Sequence, residues 1–147
     1  MTIIRLQNPA ALDHPAVREV FAAAFGETYD ADGTAAALGA LVTRVLDPRT
    51  GVFVGEENGA FKACVVVTPP THAKYSAPQV IALYNAGSKS LREAIISQAV
   101  EFMRQSGYNR FWCINETGKP NAVYSRWLAT VGAAKQIGTI LEYRLAA

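Results

Sequence analysis

Residues 80–107, VIALYNAGSKSLREAIISQAVEFMRQSG, join a short apolar run to a long amphipathic segment through a turn. The apolar run at residues 80–83 predicts a buried strand. Apolar side chains recur at helical spacing over residues 91–106, which predicts a helix with one buried face. Ser90 starts a capping box (Ser-x-x-Glu), and Gly107 ends the helix. A strand, a turn and a long helix therefore form the centre of the predicted fold.

Further elements are predicted on both sides of this centre from apolar periodicity and from turn residues. The elements before it are a strand at residues 2–6, helices at 16–25 and 35–46 with Asp13 and either Asp32 or Thr34 as N-caps, and a β-hairpin that starts at Gly51 and turns at residues 57–59. The elements after it are a strand at residues 110–115, a helix at 120–131 and a strand at 136–145.

The order β-α-α-β-β-β-α-β-α-β combines hairpins with a strand-helix-strand crossover. Hairpins give antiparallel pairs and the crossover gives a parallel pair, so we expect a mixed central sheet with helices on both faces, of the α/β or α+β class. The chain has 147 residues, of which 50% are hydrophobic. This length and composition suit one domain spanning residues 1–147.

The charge balance and the lengths of the apolar runs exclude several classes of function. Fourteen basic and twelve acidic residues leave a formal charge of +2, too small for a protein that binds nucleic acid mainly by neutralising phosphates. The apolar runs are far shorter than the roughly 20 residues that span a bilayer, and the N-terminus does not resemble a signal peptide. We therefore expect no nucleic-acid or membrane partner, and a cytoplasmic location.

The cysteines and histidines do not have the spacing of a metal site. Cys64 and Cys113 lie in apolar runs with no second thiol or histidine nearby, and His14 and His72 are isolated. We therefore predict no metal site and two buried thiols in a reducing compartment. A disulfide between the two cysteines is the alternative.

The turn at residues 84–90, Tyr-Asn-Ala-Gly-Ser-Lys-Ser, is the first candidate binding site. A turn from a strand into a helix directs free backbone N–H groups and the positive end of the helix dipole outward, and Lys89 adds a positive charge. Such a turn favours an anion, for example a pyrophosphate. Any strand-to-helix turn also needs a glycine and a cap, so a purely structural turn is the alternative.

The element order and this turn together resemble the GNAT acetyltransferase superfamily over nearly the whole chain. In that family the loop (Arg/Gln)-x-x-Gly-x-(Gly/Ala) holds the pyrophosphate of acyl-CoA with its amides, between two splayed parallel strands. The resemblance implies that Asn85, Gly87, Ser88 and Lys89 bind acetyl-CoA. Gly87 matches the last position of the motif. Asn85 stands in place of its first glycine, and Ala82 stands in place of its Arg or Gln.

Residues 121–133, NAVYSRWLATVGA, are similar to the Asn-rich helix near the C-terminus of GNAT proteins. This similarity implies that Asn121 contacts the pantetheine arm of the cofactor. Many active members have a Tyr that protonates the departing thiolate where this chain has Leu128, so Tyr124, one helical turn earlier, is the candidate acid. Glu116 is the candidate base, better placed in the chain than the two glutamates of the hairpin turn. A buried tyrosine and a solvated loop carboxylate are the respective alternatives.

The segments GSKSLREAII and WLATVGA also resemble the small GNAT-like internal virion proteins of short-tailed bacteriophages, which share the fold without a clear catalytic set. Two hypotheses follow. The first is a bacteriophage virion or assembly protein that needs no cofactor, located in the virion or the host cytoplasm. The second is an enzyme that transfers an acetyl group from acetyl-CoA to a small amine. The sequence leaves open whether the chain is an enzyme, and the missing Tyr favours the first hypothesis.

Four aromatic residues predict a contact with another protein chain. They are Tyr108, Trp112, Trp127 and Tyr143, and they exceed what a small core must hold. The expected partner is a second copy of the chain or a virion protein. Burial of these aromatic residues in the core is the alternative.

Overall fold

The structure is a computed structural model that describes residues 1–70, 76–113, 126–129 and 131–132. The described elements are β1 (Thr2–Arg5), a 3-10 helix (Pro9–Asp13), α1 (Pro15–Gly26), α2 (Ala31–Leu46), β2 (Gly51–Glu57), β3 (Ala60–Thr68), β4 (Gln79–Asn85), α3 (Lys89–Gln105) and β5 (Trp112–Cys113). The predicted order is confirmed as far as β5. Residues 126 and 127, within the predicted 120–131 helix, are helical, and the predicted strand at 136–145 lies outside the described residues.

The five described strands form one mixed sheet in the order β1-β2-β3-β4-β5. The first three pairs of neighbours are antiparallel. β4 and β5 are parallel, with Gln79 opposite Trp112 and Val80 opposite Cys113. α3 makes the crossover between these two strands, as a parallel pair requires. The predicted mixed sheet is therefore confirmed, and the turn from β4 into α3 lies at the carboxyl end of β4.

Helices cover both faces of the sheet, because successive side chains of a strand point to opposite faces. One cluster of buried side chains joins α1 and α2 to Val52, Val54, Cys64 and Val66 of the central strands. The other joins α3 to Phe53, Ala63, Val65 and Val67. β2 and β3 are buried on both sides, which explains why both read as nearly continuous apolar runs.

The β2–β3 connection is the predicted hairpin. Asn58 has φ 53° and Gly59 has φ 78°. Positive φ at both central residues is required by the type I′ turn, which is common in two-residue β-hairpins. The turn therefore ends β2 at Glu57 and begins β3 at Ala60.

The predicted N-caps of the first two helices are wrong by one or a few residues. His14 caps α1, since its Nδ1 accepts a hydrogen bond from the Ala16 N–H at 3.2 Å, and Asp13 instead ends the 3-10 helix. Asp30 caps α2, since its Oδ1 accepts from the Gly33 N–H at 2.8 Å. Several capping residues stand close together in each segment, and the cap is the one with extended backbone just before the helix.

α3 also starts earlier than predicted, and Ser88 rather than Ser90 is its N-cap. Ser88 has φ −69° and ψ 163°, and its Oγ accepts a hydrogen bond from the Leu91 N–H at 3.1 Å. The predicted end is confirmed. Gly107 has φ 89°, and the Tyr108 N–H donates to the Met103 carbonyl at 3.0 Å, which closes the last turn.

The two cysteines differ in their environment. Cys64 is completely buried, as predicted, and burial raises the pKa of its thiol. Cys113 is exposed, which contradicts the prediction, because β5 lies at the edge of the described sheet. Both cysteines are free. No helix among the described residues is long and apolar enough to cross a membrane.

Candidate functional site

The turn between β4 and α3 lies close to the end of β2 because a glycine lets the helix approach the sheet. A Cβ added to Gly55 would lie 2.9 Å from Leu91 Cδ1, so a larger side chain there would force the Leu91 side chain out of its present position. Leu91 is fully buried in the first turn of α3. The start of α3 is therefore held over β2, next to the β2–β3 hairpin turn.

Three consecutive backbone N–H groups of the turn donate hydrogen bonds within the chain. The Ala86 N–H donates to the Lys62 carbonyl at 2.7 Å. The Gly87 N–H donates to Asn85 Oδ1 at 3.1 Å. The Ser88 N–H donates to Glu57 Oε1 at 3.1 Å. These N–H groups are the ones that a strand-to-helix turn would otherwise offer to an anion.

The side chain of Asn85 closes the turn on itself. Its Oδ1 accepts from the Gly87 N–H, and its Nδ2 donates to the carbonyls of Gly87 at 3.3 Å and Ser88 at 3.2 Å. Asn commonly makes such local bonds with a backbone two residues ahead. Asn85 therefore has a structural role in this arrangement, with both ends of its amide bonded to the loop.

The carboxylate of Glu57 occupies the N-terminal end of α3. Besides the Ser88 N–H, it accepts a short hydrogen bond from the Ser88 hydroxyl through Oε2. These two bonds, with a smaller contribution from the charge of Lys62, hold the pKa of Glu57 below its usual range. A carboxylate is favoured at this position because the helix dipole places positive charge there.

Gly87 fits the turn because the space beside its Cα is already filled. A Cβ at this position would lie 2.7 Å from Leu91 Cδ2 and 3.1 Å from Glu57 Oε1. In this arrangement the glycine makes room for a side chain of the protein itself.

Lys89, the charged residue of the turn, points away from these bonds. Its Nζ lies 3.7 Å from Glu93 Oε1, one helical turn along α3, and both side chains are well exposed. Such a surface pair contributes little to stability.

The structure thus brings together four predicted site residues and leaves three untested. Asn85, Gly87, Ser88 and Lys89 form one turn, as predicted. Glu116, Asn121 and Tyr124 lie outside the described residues. Among the described residues there is no group of three or more His, Cys, Asp or Glu side chains that could hold a metal ion.

Sequence reasoning missed the role of Glu57, which it places only at the β2–β3 hairpin turn. Glu57 and Ser88 are 31 residues apart, so no local pattern connects them. The available signal is an acidic residue at a hairpin turn that the sheet order places near a helix N-terminus.

A second feature is a largely apolar cavity of about 60 Å³ beside β4. It is lined by residues of β4 and α3 and by the connection between α1 and α2. Glu27 is the charged residue among its described lining, and Tyr29, exposed Cys113 and Leu128 also border it. Leu128 is the residue at which the family resemblance of the sequence would place a Tyr.

A contact between Trp127, the residue before Leu128, and Arg92 of α3 positions the segment that carries Leu128. The Arg92 guanidinium, in the first turns of α3, lies 5.3 Å from the ring centroid of Trp127, a distance typical of a cation–π contact. This contact places residues 126–129 beside the N-terminal half of α3.

The sequence matches no protein-family model, and it matches no curated protein significantly. Solved acetyltransferase structures do share the architecture. The aminoglycoside antibiotic 6'-N-acetyltransferase of Acinetobacter haemolyticus has a TM-score of 0.66 at 10% identity, with 100% of both chains covered. The corresponding enzyme of Acinetobacter baumannii has a TM-score of 0.67 at 7% identity, with 99% of both chains covered.

A third similar structure was determined with a ligand. It is AAC(6')-Iy in complex with the bisubstrate analogue CoA-S-monomethyl-acetylneamine, with a TM-score of 0.67 at 12% identity, covering 99% of this chain and 98% of that one. Identities this low establish the fold alone. The chain therefore has the mixed α/β fold of GNAT-type acetyltransferases.

Proposed function

We propose that this chain is a GNAT-fold protein with a degenerate cofactor site and catalytic set, which acts by binding other proteins in an assembly and not by acyl transfer. One observation carries the degenerate cofactor site in this proposal. The consecutive N–H groups of Ala86, Gly87 and Ser88 all donate within the chain, the last of them to a carboxylate.

A pyrophosphate does not fit the turn in this arrangement. It would have to displace the Glu57 carboxylate from the Ser88 N–H and the Asn85 amide from the Gly87 N–H. It would also meet the negative charge of Glu57, since the lowered pKa keeps this group ionised at neutral pH. A pyrophosphate bound at the Ser88 N–H would lie next to the Glu57 carboxylate, and two negative charges in contact repel each other.

The cavity beside β4 supports the same conclusion. Leu128 borders it at the position where the family resemblance places a proton-donating Tyr, and an aliphatic side chain cannot donate a proton. A fold shared with enzymes does not by itself imply their activity.

A thermal-shift titration with acetyl-CoA tests the proposal. A ligand at 100 times its Kd stabilises the folded state by about 2.7 kcal/mol, which corresponds to a rise in Tm of roughly 5–10 °C for a chain of this size. We expect no rise for the wild type. A saturable rise that Gly87→Ala abolishes, in a variant whose own unfolding remains cooperative, would contradict a degenerate cofactor site.

The finer proposal is that the assembly is a bacteriophage virion, and it rests on the resemblance of GSKSLREAII and WLATVGA to internal virion proteins. In that case mass spectrometry of particles purified from the source culture should detect this chain in a fixed ratio to the major virion proteins. Its absence from such particles would contradict the virion role but not the degenerate cofactor site.

A second candidate function is an acyl-CoA-dependent N-acyltransferase, and the cavity beside β4 is the observation that favours it. Glu27 brings a carboxylate to this cavity, and a carboxylate is the type of group that accepts a proton from an attacking amine. In this reading the turn residues hold the cofactor after Glu57 has moved, and Asn121 contacts its arm. Tyr124 serves as the acid, and either Glu116 or Glu27 serves as the base.

An activity assay separates the two functions. Purified protein, acetyl-CoA and a panel of primary amines that includes an aminoglycoside are combined, and release of the free CoA thiol is measured. The degenerate-site proposal predicts release no faster than without protein. Release that is reduced by Tyr124→Phe, and also by Glu116→Gln or Glu27→Gln, would establish the transferase instead.

A further inference from the structure

A groove of about 590 Å³ lies between α1 and the end of the sheet that carries the β2–β3 hairpin turn. Phe61 of β3 and Tyr84 of β4 line it, and both also pack against the buried cluster of α1 and α2. The groove therefore lies on the face of the sheet opposite to α3. Sites for small molecules usually have volumes of about 300–1,000 Å³, so this groove has the size of a ligand site.

The walls of the groove suit a flat apolar ring. On the sheet side, Phe61 and Tyr84 are half-buried. On the helix side, Ala16, Val20 and Ala23 line the groove at intervals of four and three residues, the spacing of one helix face. A ring that enters here has aromatic side chains on one side and small aliphatic side chains on the other, and aromatic pairs contribute energy beyond the area that they bury.

Two opposite charges line the same groove without pairing. They belong to Glu19 of α1 and Lys62 of β3. Neither side chain takes part in the hydrogen bonds or ion pairs found among the described residues, although the charge of Lys62 also acts on Glu57. A ligand that carries both an ammonium and a carboxylate group complements the two charges.

A β-bulge explains how Lys62 reaches this groove. Gly55 pairs with Ala63 and Glu56 pairs with Phe61, which leaves Lys62 as an extra residue of β3. Consecutive side chains of a regular strand point to opposite faces, whereas Phe61 and Lys62 both line the groove. Bulges commonly redirect a side chain beside a functional site.

His14 adds a hydrogen-bond donor to the lining of the groove. Its Nδ1 accepts a hydrogen bond from the Ala16 N–H at 3.2 Å, so the neutral ring carries its proton on Nε2. The ring packs edge-to-face on Phe61, with the centroids 6.0 Å apart. The Nε2–H group and the Lys62 ammonium are both donors of the kind that bind a carboxylate.

We propose that this groove binds a free aromatic α-amino acid. The ring lies between α1 and the aromatic pair Phe61 and Tyr84. The carboxylate binds Lys62 and His14, and the ammonium group binds Glu19. A residue at the end of a peptide lacks one of these two charges and complements only part of the groove. The proposal is independent of the proposed function, because binding here needs neither acetyl-CoA nor a change in the turn before α3.

Isothermal titration calorimetry with L-phenylalanine, L-tyrosine and L-tryptophan tests the proposal. The wild type should bind at least one of them saturably, with one molecule per chain. Three analogues of L-phenylalanine should each bind more weakly by about tenfold or more. N-acetyl-L-phenylalanine lacks the ammonium charge, L-phenylalaninamide lacks the carboxylate, and L-alanine lacks the ring. Absence of saturable binding by all three amino acids would overturn the proposal, and so would an analogue that binds as tightly as the best of them.

Glu19→Gln and Lys62→Gln should each weaken binding of the amino acid by about tenfold. Arg18→Gln is the matched control, because Arg18 is the exposed neighbour of Glu19 on α1 and is not among the residues that line the groove. It should bind like the wild type. Cooperative thermal unfolding of each variant shows that its fold is intact. Binding that Glu19→Gln or Lys62→Gln affects no more than Arg18→Gln would contradict the placement of the ligand.

Discussion

Replacing Ser88 by Ala tests where α3 begins, and therefore where the candidate site lies. The Ser88 Oγ accepts a hydrogen bond from the Leu91 N–H at 3.1 Å and donates one to Glu57. Loss of an N-cap serine costs about 1 kcal/mol, within a range of roughly 0.5–2 kcal/mol. For a chain of this size the Tm should fall by roughly 2–4 °C for each kcal/mol.

Ser90→Ala is the matched control, because the capping-box pattern of the sequence places the N-cap at Ser90. In the structure Ser90 is an exposed residue of the first helical turn. Its replacement by Ala, the best helix former, should leave stability unchanged within about 0.5 kcal/mol. Thermal unfolding of both variants followed by circular dichroism is the assay. If Ser90→Ala costs as much as Ser88→Ala or more, the helix starts at a different residue and the description of the turn is wrong.

Three further predictions follow from the described residues. Leu91 is fully buried, so Leu91→Ala should lower the free energy of unfolding in urea by about 2–5 kcal/mol; a loss below about 1 kcal/mol would contradict its packing. Glu57 has a lowered pKa, so its contribution to stability is present above its usual value near 4.5 and is lost as pH falls through the lower pKa of the folded state. The Tm of Glu57→Gln should therefore fall less steeply than that of the wild type below pH 4.5, and parallel curves would exclude the contact with Ser88. A thiol reagent should label exposed Cys113 in the native protein and leave buried Cys64 unmodified until unfolding; equal labelling rates would contradict their placement.

The sequence predicts the β-hairpin and the long helix well because local chemistry decides both. Asn58 and Gly59 have positive φ, and Asn and Gly are the residue types that adopt it at the lowest cost. The end of α3 at Gly107 is similarly local. Element order and parallel pairing of β4 with β5 then follow from the crossover that α3 makes.

Helix starts were harder to predict because neighbouring residues compete for the same role. Ser88 and Ser90 are equally good caps by residue type, and Asp30 and Asp32 are as well. The choice depends on which residue the preceding strand or turn leaves in extended conformation. That conformation depends on residues distant in sequence, because the contact between Gly55 and Leu91 determines how closely α3 packs on the sheet.

The sequence predicted where in the fold the candidate site lies, but it did not predict the hydrogen bonds within the site. The turn before α3 lies where the family resemblance puts it. The bond between Glu57 and Ser88, however, joins residues that only the folded sheet brings together. This non-local carboxylate reverses the expectation of a turn with N–H groups available to an anion.

The central claim is that the N–H groups of Gly87 and Ser88 are bonded within the chain. Nitrogen–proton correlation spectra recorded during a titration with acetyl-CoA measure it most directly. The account predicts that both amide signals stay in place on addition of acetyl-CoA, and that the Ser88 signal moves as acid protonates Glu57. Saturable movement of both signals with acetyl-CoA at neutral pH would contradict it.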